Sequence, residues 1–322
     1  MVCNIFYSDK FLEHSLGTGH PESPERLRVI IDMIEKELPK ACRIIEPKNI
    51  NENELYIIHD NQYINKLKDL SSVSAHFSDN VFSENTFDIA KLAAAAAKEA
   101  ALNCEKEFSV ALARPPGHHA GINSFGGFCY LNNIAFAVRS LQIRSLQIRS
   151  LQIRSLQMNK GKGKESEKES EKPKVMIIDF DHHCGQGTEE IFYNDPSVFY
   201  LSFHCDPRIA YPGTGFESQN NEHIINKPLP SNIDDDEYIE IFNKYVNNSF
   251  NRFNPDFIAV SVGFDIYYLD PIAGLGIKEI ETFRKIGEII KKLNKPTFAV
   301  LEGGYYLPKL GEMAKNFISA FI

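Results

Sequence analysis

Residues 179–183 read Asp-Phe-Asp-His-His, two carboxylates and two imidazoles within five positions. The run before them, KVMIIDF (174–180), is apolar and β-branched, the composition of a buried parallel strand. Asp181 and His183 leave its carboxyl end two residues apart, a spacing that in extended chain points both side chains the same way. A second run, FIAVSVGF (257–264), delivers Asp265 to another strand end, after a glycine that lets the backbone turn. One imidazole and two carboxylates are a ligand set for a divalent cation, and a catalytic zinc site takes three protein ligands and keeps one position open for water. Taken alone, Asp265 fits a turn former or a helix N-cap better than a ligand.

Two further strand ends carry reactive groups. His118 and His119 follow Pro115-Pro116-Gly117, a rigid turn that ends the strand SVALA (109–113). In open α/β sheets the carboxyl edge is where ligands bind. The segment FAVLEGGYY (298–306) ends in two glycines, which permit close approach to a ligand, and Tyr305 or Tyr306 can offer a phenol to a substrate carbonyl. A tyrosine covering the core with its hydroxyl in water is the alternative there.

The elements that must position these groups alternate between strand and helix. A strand at 2–6 precedes a helix opened by Pro24-Glu25-Arg26-Leu27, where proline suits the first turn, and residues 85–104 have the alanine content of a strong helix. Strands at 109–113, 174–180, 198–203, 257–264 and 298–306 alternate with helices near 234–250, 278–293 and 307–321. This order predicts an α/β fold, a parallel sheet covered by helices on both faces. Its length, 322 residues, suits one such enzyme domain over 1–322.

One segment breaks the order. Residues 139–158 are four pentapeptides, three copies of RSLQI and one of RSLQM, followed by the Lys/Glu/Ser-rich tract 159–174. The apolar positions of the repeat satisfy neither a helical nor a strand period, and the tract has the composition of disorder. Residues 139–174 are therefore predicted to be a disordered insertion that lengthens a surface connection, with a partner-binding helix as the alternative.

With 43 acidic and 35 basic residues the net charge is −8, which argues against direct nucleic-acid binding and tolerates a cationic substrate. The six cysteines form no C-x-x-C pair, as expected of reduced thiols in a cytoplasmic protein. No leader and no run of about 18 apolar residues is present, so no membrane association is expected.

The blocks GTGHPESPERL (17–27), RPPGHHA (114–120), GGFCYLNN (126–133), DFDHHCGQGT (179–188), YPGTG (211–215), GFD (263–265) and LEGGY (301–305) together resemble the zinc-dependent histone deacetylase family. The GHPE-x-PERL and LEGGY forms are more similar to its class II and bacterial members, which include acetylpolyamine amidohydrolases. The resemblance covers the chain apart from the repeat insertion.

It implies the fold shared with arginase, a central parallel sheet of about eight strands, and hydrolysis of an acylated amine such as acetyl-lysine, with acetylpolyamine or another small amide as the alternative substrate. It implies zinc on Asp181, His183 and Asp265. The histidine doublet is displaced by one from the family's pattern, so counting from Asp181 and from the Gly-x-Gly that follows selects His183 as the ligand, with His182 at a non-ligating position and Cys184 where a second histidine usually stands. His119 matches the general base and acid, His118 its electrostatic support, Asp179 the carboxylate behind His118, and Gln186 the position, usually Asp or Asn, behind His119. Tyr305 matches the carbonyl-polarising tyrosine. Phe128, Tyr211 and Ile272 match walls of an acyl-lysine tunnel, and Gly127 and Gly304 permit close backbone approach. A structural potassium is implied at Asp179, Asp181, His183, Ser202 and Phe203. The segment 72–86 is expected to form part of the rim, with Asp79 as an acceptor for the substrate backbone or amine.

Two other functions are carried alongside. Ureohydrolase chemistry shares the fold but needs two metals from a larger Asp/His set, and a non-catalytic binder of acylated amines has no use for acid-base groups.

Overall fold

The computed structural model describes residues 2–160 and 172–322. Ten strands and eight α-helices succeed one another: β1 (Cys3–Phe6), α1 (Glu25–Glu37), β2 (Cys42–Ile45), α2 (Asn61–Ser72), β3 (His76–Phe77), β4 (Asn80–Val81), α3 (Thr86–Asn103), β5 (Ser109–Ala111), α4 (Asn133–Lys160), β6 (Val175–Asp179), α5 (Gln186–Phe192), β7 (Val198–Cys205), β8 (Ile224–Leu229), α6 (Asp235–Phe253), β9 (Phe257–Val262), α7 (Glu281–Lys292), β10 (Thr297–Leu301) and α8 (Leu307–Ser319). Eight of the strands form one parallel sheet in the order β2-β1-β5-β10-β9-β6-β7-β8, and β3 with β4 makes a separate hairpin.

The central strands are buried along their whole length, as runs such as VMIID and FIAVSV require when both faces are covered. Helices α1, α8, α7 and α6 pack in sequence against one another as one row, while α2, α3, α4 and α5 form a second. Ala93 to Ala97, Ala100 and Ala101 of α3 are fully buried, so that helix lies close to β1, β5 and β10 as well as to α4. Strands β5, β10, β9 and β6 stand side by side. Their carboxyl ends therefore bring residues 117–119, 302–305, 263–265 and 179–186 to one place, although Gly117 and Glu302 are 185 positions apart.

The insertion departs from expectation. Residues 139–160 continue α4 as helix rather than disorder, because Arg, Leu and Gln are good helix formers and local propensity prevails over the unmatched period. The mismatch still shows in the packing. Leu141 and Gln142 are buried, Gln142 donating to Pro173 O and Ser197 Oγ at 3.0 Å each, and Arg139 pairs with Asp195. Ile143 at the end of the first copy, and Ile148 and Leu151 in the next two, are 41, 42 and 63% exposed. Burial falls along the described copies, from buried Leu141 through half-buried Leu146 to exposed Leu151. The rest of the expected insertion between 161 and 171 lies outside the described residues.

Candidate active site

Asp179 is the last residue of β6, and the chain bends immediately after it. Asp181 and His183 thus converge through a turn in which Asp181 Oδ1 accepts the His183 N–H at 2.9 Å, not through extended chain as the spacing alone suggested. The His183 Nδ1 lies 3.1 Å from Asp181 Oδ1 and 3.3 Å from Asp265 Oδ2. Asp265 is neither a helix cap nor an exposed turn: it is fully buried, its Oδ1 accepts the His182 N–H at 3.0 Å, and its Oδ2 has no hydrogen-bond partner.

One ligand atom each from Asp181, His183 and Asp265 lies within 4.8 Å of the other two, the one such cluster among the described residues. The backbone is shaped around it. A Cβ on Gly303 would stand 2.3 Å from Asp265 Oδ2 and 2.6 Å from Asp181 Oδ2, and the Gly303 N–H instead donates to Asp181 Oδ2 at 2.8 Å. An orphaned buried carboxylate oxygen facing an imidazole nitrogen and a second carboxylate fits a divalent cation.

No Lys or Arg pairs with Asp179, Asp181 or Asp265 among the described residues, and the basic groups that face them are the imidazoles of His118 and His183. Burial acts to lower the His183 pKa, but the neighbouring Asp181 and Asp265 carboxylates prevail and push it up to about 10. Burial likewise opposes the charge on His118, yet Asp181 and Asp179 raise that group to about 10. Burial and the Asp181 charge lift Asp265 to about 7. His182 behaves differently: burial and the neighbouring His183 lower it to about 3, and its Nδ1 is unpartnered.

The tandem histidines stand beside this cluster. Their ring centroids are 4.0 Å apart, and that of His119 is 5.8 Å from His183. His118 Nδ1 lies 3.1 Å from Asp179 Oδ2, which also accepts the Tyr200 hydroxyl at 2.9 Å. His119 Nδ1 lies 2.6 Å from Gln186 Oε1, so each imidazole has a side chain fixing its orientation. Burial, reinforced by His118 and His183, holds the His119 pKa well below the ordinary value, leaving that ring neutral as a base must be.

Tyr305 is 7% exposed, and burial raises its phenol far above the usual range, so it remains an O–H donor. Its ring centroid is 6.0 Å from that of Phe128, and Tyr211 stands 4.9 Å from His119. Gly127 has φ +53° and its Cα faces the His119 ring, where a Cβ would come within 2.2 Å of Cδ2. Ile272 is 41% exposed on the loop after β9. Asp79 sits in the β3–β4 turn, where its charge acts on His20 and Tyr211, and no bond joins it to the buried cluster. Ser202 pairs in register with Asp179, but its hydroxyl engages His204 Nδ1 at 2.7 Å, and Phe203 lies in the core.

Several supports were not singled out from sequence. Arg114, just before the Pro-Pro turn, is fully buried and forms a two-pronged pair with Glu22 through Nε at 2.6 Å and Nη2 at 2.7 Å. Glu22 also pairs with Arg26 at 3.0 Å. Arg26 in turn donates from Nε to Gly304 O at 2.7 Å and lies 4.7 Å from the Tyr305 ring centroid. Asp270 accepts the Tyr305 N–H at 2.7 Å on one oxygen and the Ile272 and Ala273 N–H groups at 3.1 and 3.2 Å on the other. The i, i+4 spacing of Glu22 and Arg26 was a visible signal; their long-range partners were not.

Comparison with known proteins identifies the family. The profile described as "Histone deacetylase domain" matches residues 20–153 and 163–321. A "Probable deacetylase" of Archaeoglobus fulgidus is 33% identical over 95% of this chain and 82% of its own length. Among solved structures, the HDA15 HD domain superposes with a TM-score of 0.86 at 27% identity, over 99% of this chain and 88% of its own. The acetylpolyamine aminohydrolase from Burkholderia pseudomallei superposes with a TM-score of 0.82 at 26% identity, over 100% of this chain and 98% of its own. With the profile spanning most of the chain and an eight-stranded parallel sheet common to these hydrolytic enzymes, the protein belongs to the histone deacetylase domain family.

Proposed function

We propose that this protein is a zinc-dependent amidohydrolase that removes the acyl group from a linear acylated amine of the acetyl-lysine type. The observation that carries the reading is the juxtaposition of the Asp181, His183 and Asp265 ligand atoms with a neutral, buried His119. Zinc held by these three residues would polarise the amide carbonyl and acidify a water beside it.

The chain's own groups supply the remainder. His119, neutral and held by Gln186, takes the proton from the attacking water at Nε2 and returns it to the departing amine. His118, held charged by Asp179 and Asp181, stabilises the negative charge that develops beside it. Tyr305 donates its O–H to the carbonyl oxygen as that oxygen gains charge. Phe128 and Tyr211 flank an aliphatic stem, as flat rings do well, with Ile272 further out. A structural potassium is proposed at Asp179, Asp181, His183, Ser202 and Phe203, largely through backbone oxygens.

A second reading, an acetylpolyamine or similar small amide as substrate, is favoured by the Asp79 carboxylate in the β3–β4 turn, whose charge acts on Tyr211 and which suits a free amine. One cluster of ligands among the described residues argues for one-metal hydrolysis over ureohydrolase chemistry, and acid-base groups argue against a passive binder. The test is acetate release from a panel comprising an acetyl-lysine peptide, acetylputrescine, acetylspermidine and longer acyl-lysines, with and without chelator. Chelator-sensitive turnover with the peptide preferred is expected; a polyamine preference would support the second reading, and turnover indifferent to chelator would overturn the mechanism.

A further inference from the structure

Glu302, the residue after β10, has no part in the chemistry above, yet its carboxylate is fully buried and pairs with no Lys or Arg among the described residues. A lone buried carboxylate is costly and persists only when hydrogen bonds hold it. Burial drives its pKa up to about 7 against the pull of His118 and two amides. Those amides belong to the catalytic turn: Oε2 accepts the Gly117 N–H at 2.7 Å and the His118 N–H at 3.1 Å. The other oxygen lies 3.5 Å from Ser261 Oγ on β9.

The main chain of the same residue is fixed as tightly. Its N–H donates to Val262 O at 2.8 Å, and its carbonyl accepts from Arg26. Three positions later the chain delivers Tyr305. Asp179 and Gln186 orient the imidazoles from their ring nitrogens, and of the two only Gln186 also touches the backbone from which the rings project, its Nε2 donating to His119 O at 3.5 Å.

We propose that Glu302 is a positioning residue that ties the Gly117-His118-His119 turn to the strand end carrying Tyr305, so that base and oxyanion donor keep one spacing across the substrate carbonyl. The inference rests on the deacetylase reading of the site. Its agent is the reach of the side-chain acceptor, not its charge. Gln in its place still accepts from both amides and can donate to Ser261 Oγ, whereas Asp keeps the charge and withdraws the acceptor by one methylene.

The three variants Glu302→Gln, Glu302→Asp and Glu302→Ala separate these possibilities, assayed on an acetyl-lysine peptide with kcat normalised to folded, zinc-loaded enzyme. Glu302→Gln is expected to keep kcat within about threefold, while Asp and Ala lower kcat about 10- to 100-fold with KM changed less than about twofold, since misplacement by about 1 Å costs on that order. Spectra of protein labelled with 15N at histidine supply a readout independent of turnover: the ring signals of His118 and His119 should move in the Asp and Ala variants and not in Gln. Wild-type kcat and histidine spectra in the Asp or Ala variant would overturn the proposal, as would an impaired Gln beside an active Asp. An inactive wild-type enzyme would instead count against the deacetylase reading, with the histidine spectra still reporting on the turn.

Discussion

His183 and His182 are adjacent and both imidazoles, yet their surroundings divide them. His183 faces two carboxylates, whereas His182 lends only its backbone N–H to Asp265 and keeps a side chain with an unpartnered nitrogen. His183→Ala is therefore expected to lose bound zinc and His182→Ala to keep it, as measured by metal analysis of the purified proteins. Tyr305→Phe removes one oxyanion donor and leaves the ring packed on Arg26, so kcat should fall about 10²–10³-fold with KM little changed. The cluster of Asp181, His183 and Asp265 was legible in sequence because Asp and His recur at strand ends. The geometry behind them was not: the turn at 180–183, where Asp181 accepts the His183 N–H, follows from hydrogen bonds that no spacing displays.

At the scale of elements, sequence patterns identified the six inner strands and missed both edges of the sheet. β2, CRII, has an exposed Ile44, and β8, IINKPL, contains Pro228, so neither presents the continuous apolar run of a strand buried on both faces. The loops between elements were equally opaque, because their anchor is the buried Glu22, Arg26 and Arg114 set, gathered from positions 92 residues apart. Burial acts to raise the Glu22 pKa, but Arg114 and Arg26 overcome it and hold the group at about 2. A depressed carboxyl contributes stability that is complete above its unfolded pKa and is lost as pH falls towards the folded value. Glu22→Gln, which strands two buried guanidinium groups, should cost about 3–5 kcal/mol at neutral pH in denaturant unfolding. It should also flatten the loss of stability that the wild type shows between about pH 5 and pH 2.

For the molecule as a whole, the alternation of strand and helix announced a parallel α/β domain, and the repeat insertion is where local and global signals disagree. Helix propensity extends α4, but past the first pentapeptide it leaves Ile148 and Leu151 exposed. Gln142→Ala, which loses two hydrogen bonds, should lower Tm measurably. Among the described residues no helix is long and apolar enough to cross a membrane. The central claim concerns one metal at one site: strip the protein of metal, then follow acetate release from an acetyl-lysine peptide while titrating zinc. Activity should be lost on stripping and return in proportion to added zinc, saturating at one equivalent per chain through Asp181, His183 and Asp265. Full activity in the stripped protein, or saturation only at two equivalents, would contradict it.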